Sequence, residues 1–399
     1  MSEYALVSES PGGYGVLGGA VLLVADCVGT GVLALPGDAW TLGIGGFGAL
    51  LVTNFVLNLS AGTLVTEAAR GGRARDFCEL SAGCGATTKA IILAAWYSNL
   101  FLVLGQYVLV MSRGLELAVG ASCTALSSFA AAASVLALAQ ATRTMTKLRW
   151  PSLASISSVF VVLGLCLAAR HRPYDPAWLP PHLGAPRWRA ALRASAAVGS
   201  CVFAMGTQKL LLNVRREQRD PDAQSNPALA LAIALFSAVY LVVVLGAGPR
   251  PPAFLLDAIS SDEWLRRPAG ACLFAHVSVS YAINLQPLAK TLQSHLGLED
   301  SNRRWLALTS AITASAWFVA NAVPFFPDLV SLIGAFASAP LNFAIPALLY
   351  KHARPKEEHR RREANFHIAL TILIVLAGTA GAIVDIVDNW EHHPPPFDC

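Results

Sequence analysis

The chain alternates between long apolar runs and short polar connections. A transmembrane helix needs about 20 consecutive, mostly apolar residues, and runs of that length predict eleven spans in this sequence. They cover residues 16–36, 43–67, 90–112, 118–141, 150–169, 194–213, 228–247, 270–292, 305–323, 328–350 and 366–387. The pattern therefore predicts an all-α, multi-pass membrane protein with about eleven transmembrane helices.

The first apolar run, VLGGAVLLVADCVGTGVLALP, is interrupted by Gly29-Thr30-Gly31 and closed by Pro36. An unpaired backbone amide costs several kcal/mol in hydrocarbon, so such a break is tolerated only where the freed groups face protein, water or a ligand. The exposed half-helix ends carry partial charges of opposite sign, which suits a zwitterion. The break is therefore a candidate binding site. The alternative is that these glycines only allow close packing against a neighbouring helix.

A second interruption occurs in the sixth run, where Gly206, Thr207, Gln208 and Lys209 precede a basic end. Shifting the first five runs by about 177 residues aligns them with the sixth to tenth, and Gly29 then falls on Gly206. Because five is odd, the second copy enters the membrane from the opposite side, as in inverted-repeat transporters. The spacing predicts broken first and sixth helices with a site at the midplane between them. The alternative is a shorter sixth span followed by a loop.

The spans imply an order of segments along the chain. These are a cytoplasmic N-terminal tail (1–15), a first repeat half (16–169), an extracytoplasmic loop (170–193), a second half (194–350), a basic cytoplasmic loop (351–365), an eleventh span (366–387) and a C-terminal tail (388–399). With the N-terminus in the cytoplasm, 18 Lys and Arg fall on the inner side and nine on the outer side. Cytoplasmic loops carry such an excess, although the arginines between the fifth and sixth spans oppose it.

Composition excludes several classes of protein. Of the 399 residues only 14% are charged and 55% are hydrophobic, whereas soluble domains average about a quarter charged residues. The net charge of +4 resides in the loops, so nucleic acid is not an expected partner. An intramembrane enzyme would need clustered His, Asp or Ser at the membrane face, and the sequence presents no such cluster. We expect neither an enzyme nor a metal or organic cofactor.

Ionisable residues inside the apolar runs are candidates for function, because a charge at membrane depth costs about 3 kcal/mol. Asp26 lies one turn before the first break and is predicted to carry a coupling proton or to bind a substrate amine, or else to make a structural hydrogen bond. His276 can titrate near neutral pH, so it is a second candidate for proton coupling, with helix packing as the alternative. Further candidate cavity-lining residues are Tyr97, Asn99, Gln106 and Tyr281.

Two groups of charged residues have simpler interpretations. Glu116 follows Arg113 by three residues, which predicts a local ion pair on one helix. The basic segment from Lys351 to Glu363 is predicted to attract anionic lipids of the cytoplasmic leaflet, although membrane topology alone would also explain its charge.

Two motifs resemble those of a known family. GTGVLALP, from Gly29 to Pro36, is similar to the first-helix signature GxGxLxLP of the amino acid/auxin permease family, within the amino acid, polyamine and organocation transporter superfamily. VPFFPDLVSLIGAFASAPLNFAIPALLY, from Val323 to Tyr350, is similar to the tenth-helix pattern of that family. Phe77 to Leu80 and Gln106-Tyr107 are weaker matches.

The resemblance implies an eleven-helix fold of the LeuT type, with a 5+5 inverted repeat, that moves amino acids together with protons or sodium. Substrate contacts carried over from the family are Gly29, Thr30, Gly31 and Val32 in the first helix and Phe203, Ala204 and Gly206 in the sixth, to which we add the polar Thr207. Some sodium-coupled relatives have Asn where this chain has Ala25. A proton is therefore the expected coupling ion.

These observations predict a secondary active amino acid transporter, a symporter in the plasma membrane or in a vacuolar or lysosomal membrane. Two alternatives stay open. The chain would also suit an amino acid sensor or structural membrane subunit that kept the fold and lost transport, or a transporter of another small organic solute such as auxin. Binding of an amino acid without flux would identify a sensor.

Overall fold

The computed structural model of the chain describes residues 14–72, 74, 76–120, 123–141, 143, 149–169, 186–259, 263–354 and 358–391. Within these ranges the chain is almost entirely helical, and an isolated bridge pairs Tyr14 with Gln218. The prediction of an all-α protein is confirmed. Residues 1–13, 170–185, 355–357 and 392–399 of the predicted tails and loops lie outside the described ranges.

The helices follow one another through short connections. They are α1 (Val16–Cys27), α2 (Leu35–Leu42), α3 (Ile44–Ala68), α4 (Phe77–Leu80), α5 (Ala86–Val119), α6 (Thr124–Ala141), α7 (Arg149–Ala168), α8 (Arg187–Ala204), α9 (Gln208–Glu217), α10 (Pro221–Ala247), α11 (Glu263–His295), α12 (Asn302–Ala322), α13 (Phe326–Ile333), α14 (Ile345–Ala353) and α15 (Glu358–Trp390). Two π-helical segments, Gly334–Ser338 and Pro340–Ala344, join α13 to α14.

Eight helical stretches of the described chain are long and apolar enough to cross a membrane. They are Ile44–Ala68, Ala86–Val119, Thr124–Ala141, Arg187–Glu217, Pro221–Ala247, Asn302–Ala322, Phe326–Ala353 and Arg360–Trp390. Val16–Cys27 and Ala154–Ala168 are shorter apolar helices. The protein is therefore a multi-pass membrane protein.

Several helices begin earlier than their apolar runs, and α8 and α15 illustrate the reason. Helix α8 starts at Arg187, inside the segment predicted as a loop, and its Arg193 contacts Asp385 of α15 at 3.3 Å. Helix α15 starts at Glu358, so part of the predicted basic loop is helical, and its Arg360 pairs with Glu67 at 2.9 Å. A hydropathy profile does not detect these helical turns, because they carry charged side chains. Those side chains form ion pairs with acidic residues of neighbouring helices.

Close backbone contact positions α8 against the π-helical stretch. Gly199 of α8 faces Gly334, and a Cβ atom on Gly334 would overlap the Gly199 carbonyl. Membrane helices approach this closely where both residues are small. The pair holds the end of α8, and hence the interruption that follows it, beside the segment that joins α13 to α14.

Candidate functional site

The first helix is interrupted where the glycines predicted it. Helix α1 ends at Cys27, the backbone leaves helical geometry at Val28 and Gly29, and a 3-10 turn over Thr30–Leu33 leads into α2. The N–H groups of Thr30 and Gly31 open that turn and so have no partner within it.

The interruption after α8 lies against this first break. Helix α8 ends at Ala204 and α9 begins at Gln208. A Cβ atom on Gly31 would lie 3.0 Å from the Ala204 Cα atom, and the Cys27 thiol lies 3.5 Å from the Gly206 carbonyl oxygen. Two stretches that are 177 residues apart in the chain therefore form one site.

Tyr240 of α10 connects the two breaks and was not singled out from the sequence. Its hydroxyl lies 2.7 Å from the Cys27 carbonyl oxygen and 2.6 Å from the Ala204 carbonyl oxygen, and its side chain is fully buried. A hydroxyl donates one hydrogen, so the two carbonyls at the ends of α1 and α8 share this donor. In the sequence Tyr240 lies within an apolar run, which predicts that it is buried but does not predict its contact with the two breaks.

A cavity of about 40 Å³ lies between the breaks. The residues that line it are Asp26, Cys27, Gly29, Thr30, Gly31, Asn99, Tyr107, Phe203, Ala204, Gly206, Lys209, Ser338, Leu341 and Asn342. Eight of these were predicted as site residues: Asp26, Gly29, Thr30, Gly31, Asn99, Phe203, Ala204 and Gly206. Most of the lining residues that were not predicted from the sequence belong to α9 and the π-helical stretch.

Asp26 and Lys209 face each other across the cavity wall. The Lys209 Nζ atom lies 3.3 Å from Asp26 Oδ2, and about a quarter of each side chain is exposed. Lys209 stands in the first turn of α9, so the ion pair links the end of α1 to the start of α9. The sequence shows Lys209 as a polar interruption and gives no indication of its partner.

The π-helical stretch contributes polar side chains to the site. Asn99 of α5 donates to the Ser338 hydroxyl at 2.9 Å. The Asn342 amide donates to the Val202 carbonyl oxygen at 3.1 Å, and a Cβ atom on Gly206 would overlap it. π-Helical turns are rare and occur frequently at functional sites. This stretch falls within the motif resembling the tenth helix, but single side chains in an apolar run could not be assigned to the cavity.

Three predicted site residues lie behind the cavity wall. Gln106 donates to the Thr30 hydroxyl at 2.9 Å and so supports the first break. Val32 and Thr207 are buried within the two breaks but do not line the cavity.

Two further predicted residues lie elsewhere. The Tyr97 hydroxyl lies 2.5 Å from His295 Nδ1, and the Tyr281 hydroxyl donates to Thr313 at 3.0 Å. Neither tyrosine lines the cavity. The sequence identifies the helix on which each tyrosine lies. The apolar pattern around each tyrosine does not show which neighbouring helix its side chain contacts.

His276 approaches the first break from α11. Its Nδ1 atom lies 2.9 Å from the Ser155 carbonyl oxygen and 2.8 Å from the Ser155 hydroxyl. A carbonyl oxygen only accepts, so Nδ1 carries the hydrogen and Nε2 is the acceptor of the neutral ring. That Nε2 atom would lie 3.8 Å from a Cβ atom on Gly29.

A larger cavity of about 280 Å³ lies among α2, α8, α13 and α15. Its polar lining includes Asp38, Arg193, Asp328, Asp385 and Asn389. Ser200 donates to Asp38 at 2.6 Å, and Asn389 donates to Asp328 at 2.6 Å. These contacts hold the carboxylates in place.

At the other end of the molecule the chain before α1 is joined to the end of α9. Tyr14 N–H donates to the Glu217 carbonyl oxygen at 2.9 Å, and Arg219 N–H donates to the Tyr14 carbonyl oxygen at 3.1 Å. The predicted local pair is also present, because Arg113 contacts Glu116 at 2.8 Å. Across the described part of the chain, no three His, Cys, Asp or Glu side chains come together as a possible metal site.

Curated proteins with similar sequences carry transporter names. The chain is 26% identical to the N amino acid transport system protein of Neurospora crassa over 51% of this chain and 47% of that protein. It is 32% identical to amino acid transporter AVT1J of Arabidopsis thaliana over 28% of this chain and 27% of the relative, and 26% identical to amino acid permease 8 of the same plant over 36% of each. The chain spans less than half the length of each of these relatives. Permeases are not enzymes, which agrees with the sequence prediction.

The family described as transmembrane amino acid transporter protein matches residues 12–387. That match contains both helix breaks, the cavity between them and the motif that resembles the tenth helix. It confirms the resemblance to the amino acid/auxin permeases, and the chain belongs to this family of transmembrane amino acid transporters.

Proposed function

We propose that the protein is a secondary active transporter that moves amino acids by alternating access. The observation that carries the proposal is the cavity between two interrupted helices, where peptide groups and an ion pair line a small space. Interrupted helices whose ends bind charged substrate groups are typical of transporters with repeated halves. The names of the curated relatives support amino acids as the substrate.

The proposed topology has eleven spans. Helices α1 and α2 form the first, α8 and α9 the sixth, and α13 and α14 the tenth, while α3, α5, α6, α7, α10, α11, α12 and α15 each form one. The two halves are then α1 to α7 and α8 to α14, related as a LeuT-type inverted repeat. During transport, the first and sixth spans rock against the third, fourth, eighth and ninth.

The N-terminus is proposed to lie in the cytoplasm. This orientation puts the ends of α2 and α15 and the starts of α8 and α13 on the outer side, and those four ends line the larger cavity. It puts the bridge between Tyr14 and Gln218 on the cytoplasmic side.

We further propose that a proton is the coupling ion, with Asp26 as its first carrier and His276 as a second group. Asp26 lines the cavity, and the His276 Nε2 atom faces the first break. The inner-side segment from Lys351 to Glu363 is proposed to contact anionic lipids. Arg360 is engaged with Glu67 and Glu363, and Arg362 lies 4.0 Å from Glu358, so Arg361 is the lipid contact that we propose within this helical turn.

The test is uptake by purified protein in vesicles, using a panel of labelled amino acids with proton and sodium gradients imposed separately. We expect uptake of at least one amino acid when the outside is acidic, with no requirement for sodium. Binding of an amino acid without flux under any gradient would favour the sensor. Uptake of another organic solute, with no uptake of any amino acid, would show that the protein is a transporter with a different substrate class.

A further inference from the structure

We propose that Lys209 binds the carboxylate of the transported amino acid and that the Asp26–Lys209 ion pair opens when the substrate occupies the cavity. The inference rests on the proposed transport function and adds a charged side chain to the peptide groups of the two breaks. Neither the sequence motifs nor the names of the relatives assign a role to Lys209.

The geometry leaves both partners of the ion pair with unused hydrogen-bonding capacity. The Nζ to Oδ2 distance of 3.3 Å exceeds the roughly 2.7–2.9 Å of a charge-assisted hydrogen bond. Asp26 Oδ2 is buried and accepts no hydrogen bond, while the Lys209 ammonium has three hydrogens to donate. A ligand with an ammonium and a carboxylate would satisfy Asp26 and Lys209 at once.

Charge balance favours a zwitterion over a simple ion. At neutral pH Asp26 and Lys209 are the only charged side chains among the residues that line the cavity, and their charges cancel. A lone anion or cation would leave the site with a net charge in a medium of low dielectric constant, which is costly. A zwitterion adds one charge of each sign and keeps the site neutral.

The size of the cavity explains why the ion pair must separate. About 40 Å³ accommodates about three waters, since one water needs roughly 10–15 Å³ measured in this way. An amino acid therefore fits only if the walls move apart. Asp26 belongs to α1 and Lys209 to α9, so the contact that restrains these walls is the one that the substrate would replace.

Substrate binding and the ion pair exclude each other. Asp26 contacts either Lys209 or the substrate ammonium, and Lys209 contacts either Asp26 or the substrate carboxylate. Separation of the pair is therefore the step that admits the substrate. The other titratable groups around the pair are Cys27 on α1, Tyr107 on α5, Tyr240 on α10 and His276 on α11.

The experiment compares an accepted amino acid with its decarboxylated amine, which keeps the side chain and the ammonium. Both are tested as competitors of labelled amino acid uptake in vesicles and as stabilisers of the purified protein against heat. The wild type should prefer the amino acid. Lys209→Gln should lower that preference by at least about tenfold, because a hydrogen bond between charged groups is worth that much in affinity. Lys209→Arg should keep most of it.

Lys89→Gln is the matched control, because it removes a lysine that is exposed at the start of α5, away from the cavity. Its preference should equal that of the wild type. An unchanged preference in Lys209→Gln would overturn the inference while leaving the transport function intact. A wild type that neither binds nor moves any amino acid would instead refute the transport function.

Asp26→Asn is a second variant that keeps the inference testable if Lys209→Gln does not fold. It leaves Lys209 without its charged partner at every pH. We expect it to keep the preference for carboxylate-bearing ligands, because Lys209 remains, and to bind the decarboxylated amine more weakly than the wild type does, because Asp26 no longer pairs with its ammonium. Loss of that preference, or binding of the amine equal to that of the wild type, would contradict the proposal.

Discussion

The Tyr240 hydroxyl contacts the carbonyl ends of both broken helices. A buried carbonyl that loses its donor costs about 1–3 kcal/mol. Because the two carbonyls belong to α1 and α8, Tyr240 stabilises the geometry of the site as well as the fold around it.

We expect Tyr240→Phe to lower the thermal stability of the purified protein and to reduce amino acid uptake at least severalfold. Tyr97→Phe is the matched control, because it also removes a tyrosine hydroxyl, but one that contacts His295 away from the cavity. Unfolding temperature and uptake are measured for both variants. Equal effects of the two substitutions on uptake would show that the Tyr240 contact has no special role.

Sequence reasoning at the level of single residues succeeded where chemistry stands out from its surroundings. Asp26 and the Gly29-Thr30-Gly31 break are polar or flexible within an apolar run, and both line the cavity. Tyr240 and Asn342 could not be found in this way, because their role depends on which neighbouring helix they face. The pairing of Asp26 with Lys209 needed the alignment of two segments that are far apart in the chain.

The two interrupted helices are the elements on which the site depends, and their glycines have different neighbours. A Cβ atom on Gly31 would meet the Ala204 backbone at 3.0 Å, whereas one on Gly29 would meet Asp26 and His276 atoms at 3.8 Å. The first distance is shorter than ordinary van der Waals contact and the second is within it. One added methyl group should therefore have different consequences at the two positions.

We expect Gly31→Ala to force the two breaks apart and to abolish uptake, while Gly29→Ala keeps a substantial fraction of it. Both variants should insert into the membrane, because neither position lies within a regular α-helix. Uptake is normalised to the amount of protein in the vesicle. A result in which Gly29→Ala is inactive and Gly31→Ala is active would refute the described packing of the breaks.

At the level of elements, the apolar pattern predicted where the membrane helices lie, because apolar length is what a membrane requires. It predicted the ends of several helices less well. At α8 and α15 the reason is that their early turns carry arginines that pair with acidic side chains. The π-helical joints of α13 and α14 were not predicted at all. They depend on side-chain packing within a stretch that reads as continuous helix.

For the whole molecule, the proposed orientation puts the larger cavity on the outer side and the connection between α3 and α5 on the inner side. Two sets of thiols report on this arrangement. Thr41 lines the larger cavity, and the natural Cys78 and Cys84 lie between α3 and α5.

We expect a membrane-impermeant thiol reagent to label Thr41→Cys in intact cells or sealed vesicles of right-side-out orientation. Cys84 should be labelled only after permeabilisation. Burial raises the pKa of the Cys78 thiol to about 12 and also raises the pKa of Cys84. A higher pH increases the reactive thiolate fraction, so labelling is run in alkaline buffer. Labelling of Cys84 from outside, together with protection of Thr41→Cys, would show that the topology is the reverse of the proposed one.

The overall architecture was predictable from the sequence to the extent that its spacing is regular. An all-α, multi-pass protein followed from apolar lengths, and the two breaks followed from glycines placed 177 residues apart. The larger cavity was not predicted, because it forms where the ends of four helices meet. No local sequence pattern shows which helix ends lie next to one another.

The central claim is that an amino acid occupies the cavity between the two broken helices, and substrate protection of a thiol placed there tests it most directly. Ser338 lines that cavity, so Ser338→Cys introduces a reporter, with Thr41→Cys in the larger cavity as the control. Alkylation at each site is followed by mass spectrometry, with and without a transported amino acid. The account predicts that the amino acid slows alkylation of Ser338→Cys about tenfold at ten times its Kd, by simple site occupancy, and changes Thr41→Cys much less. Equal alkylation rates of Ser338→Cys with and without saturating amino acid would contradict it.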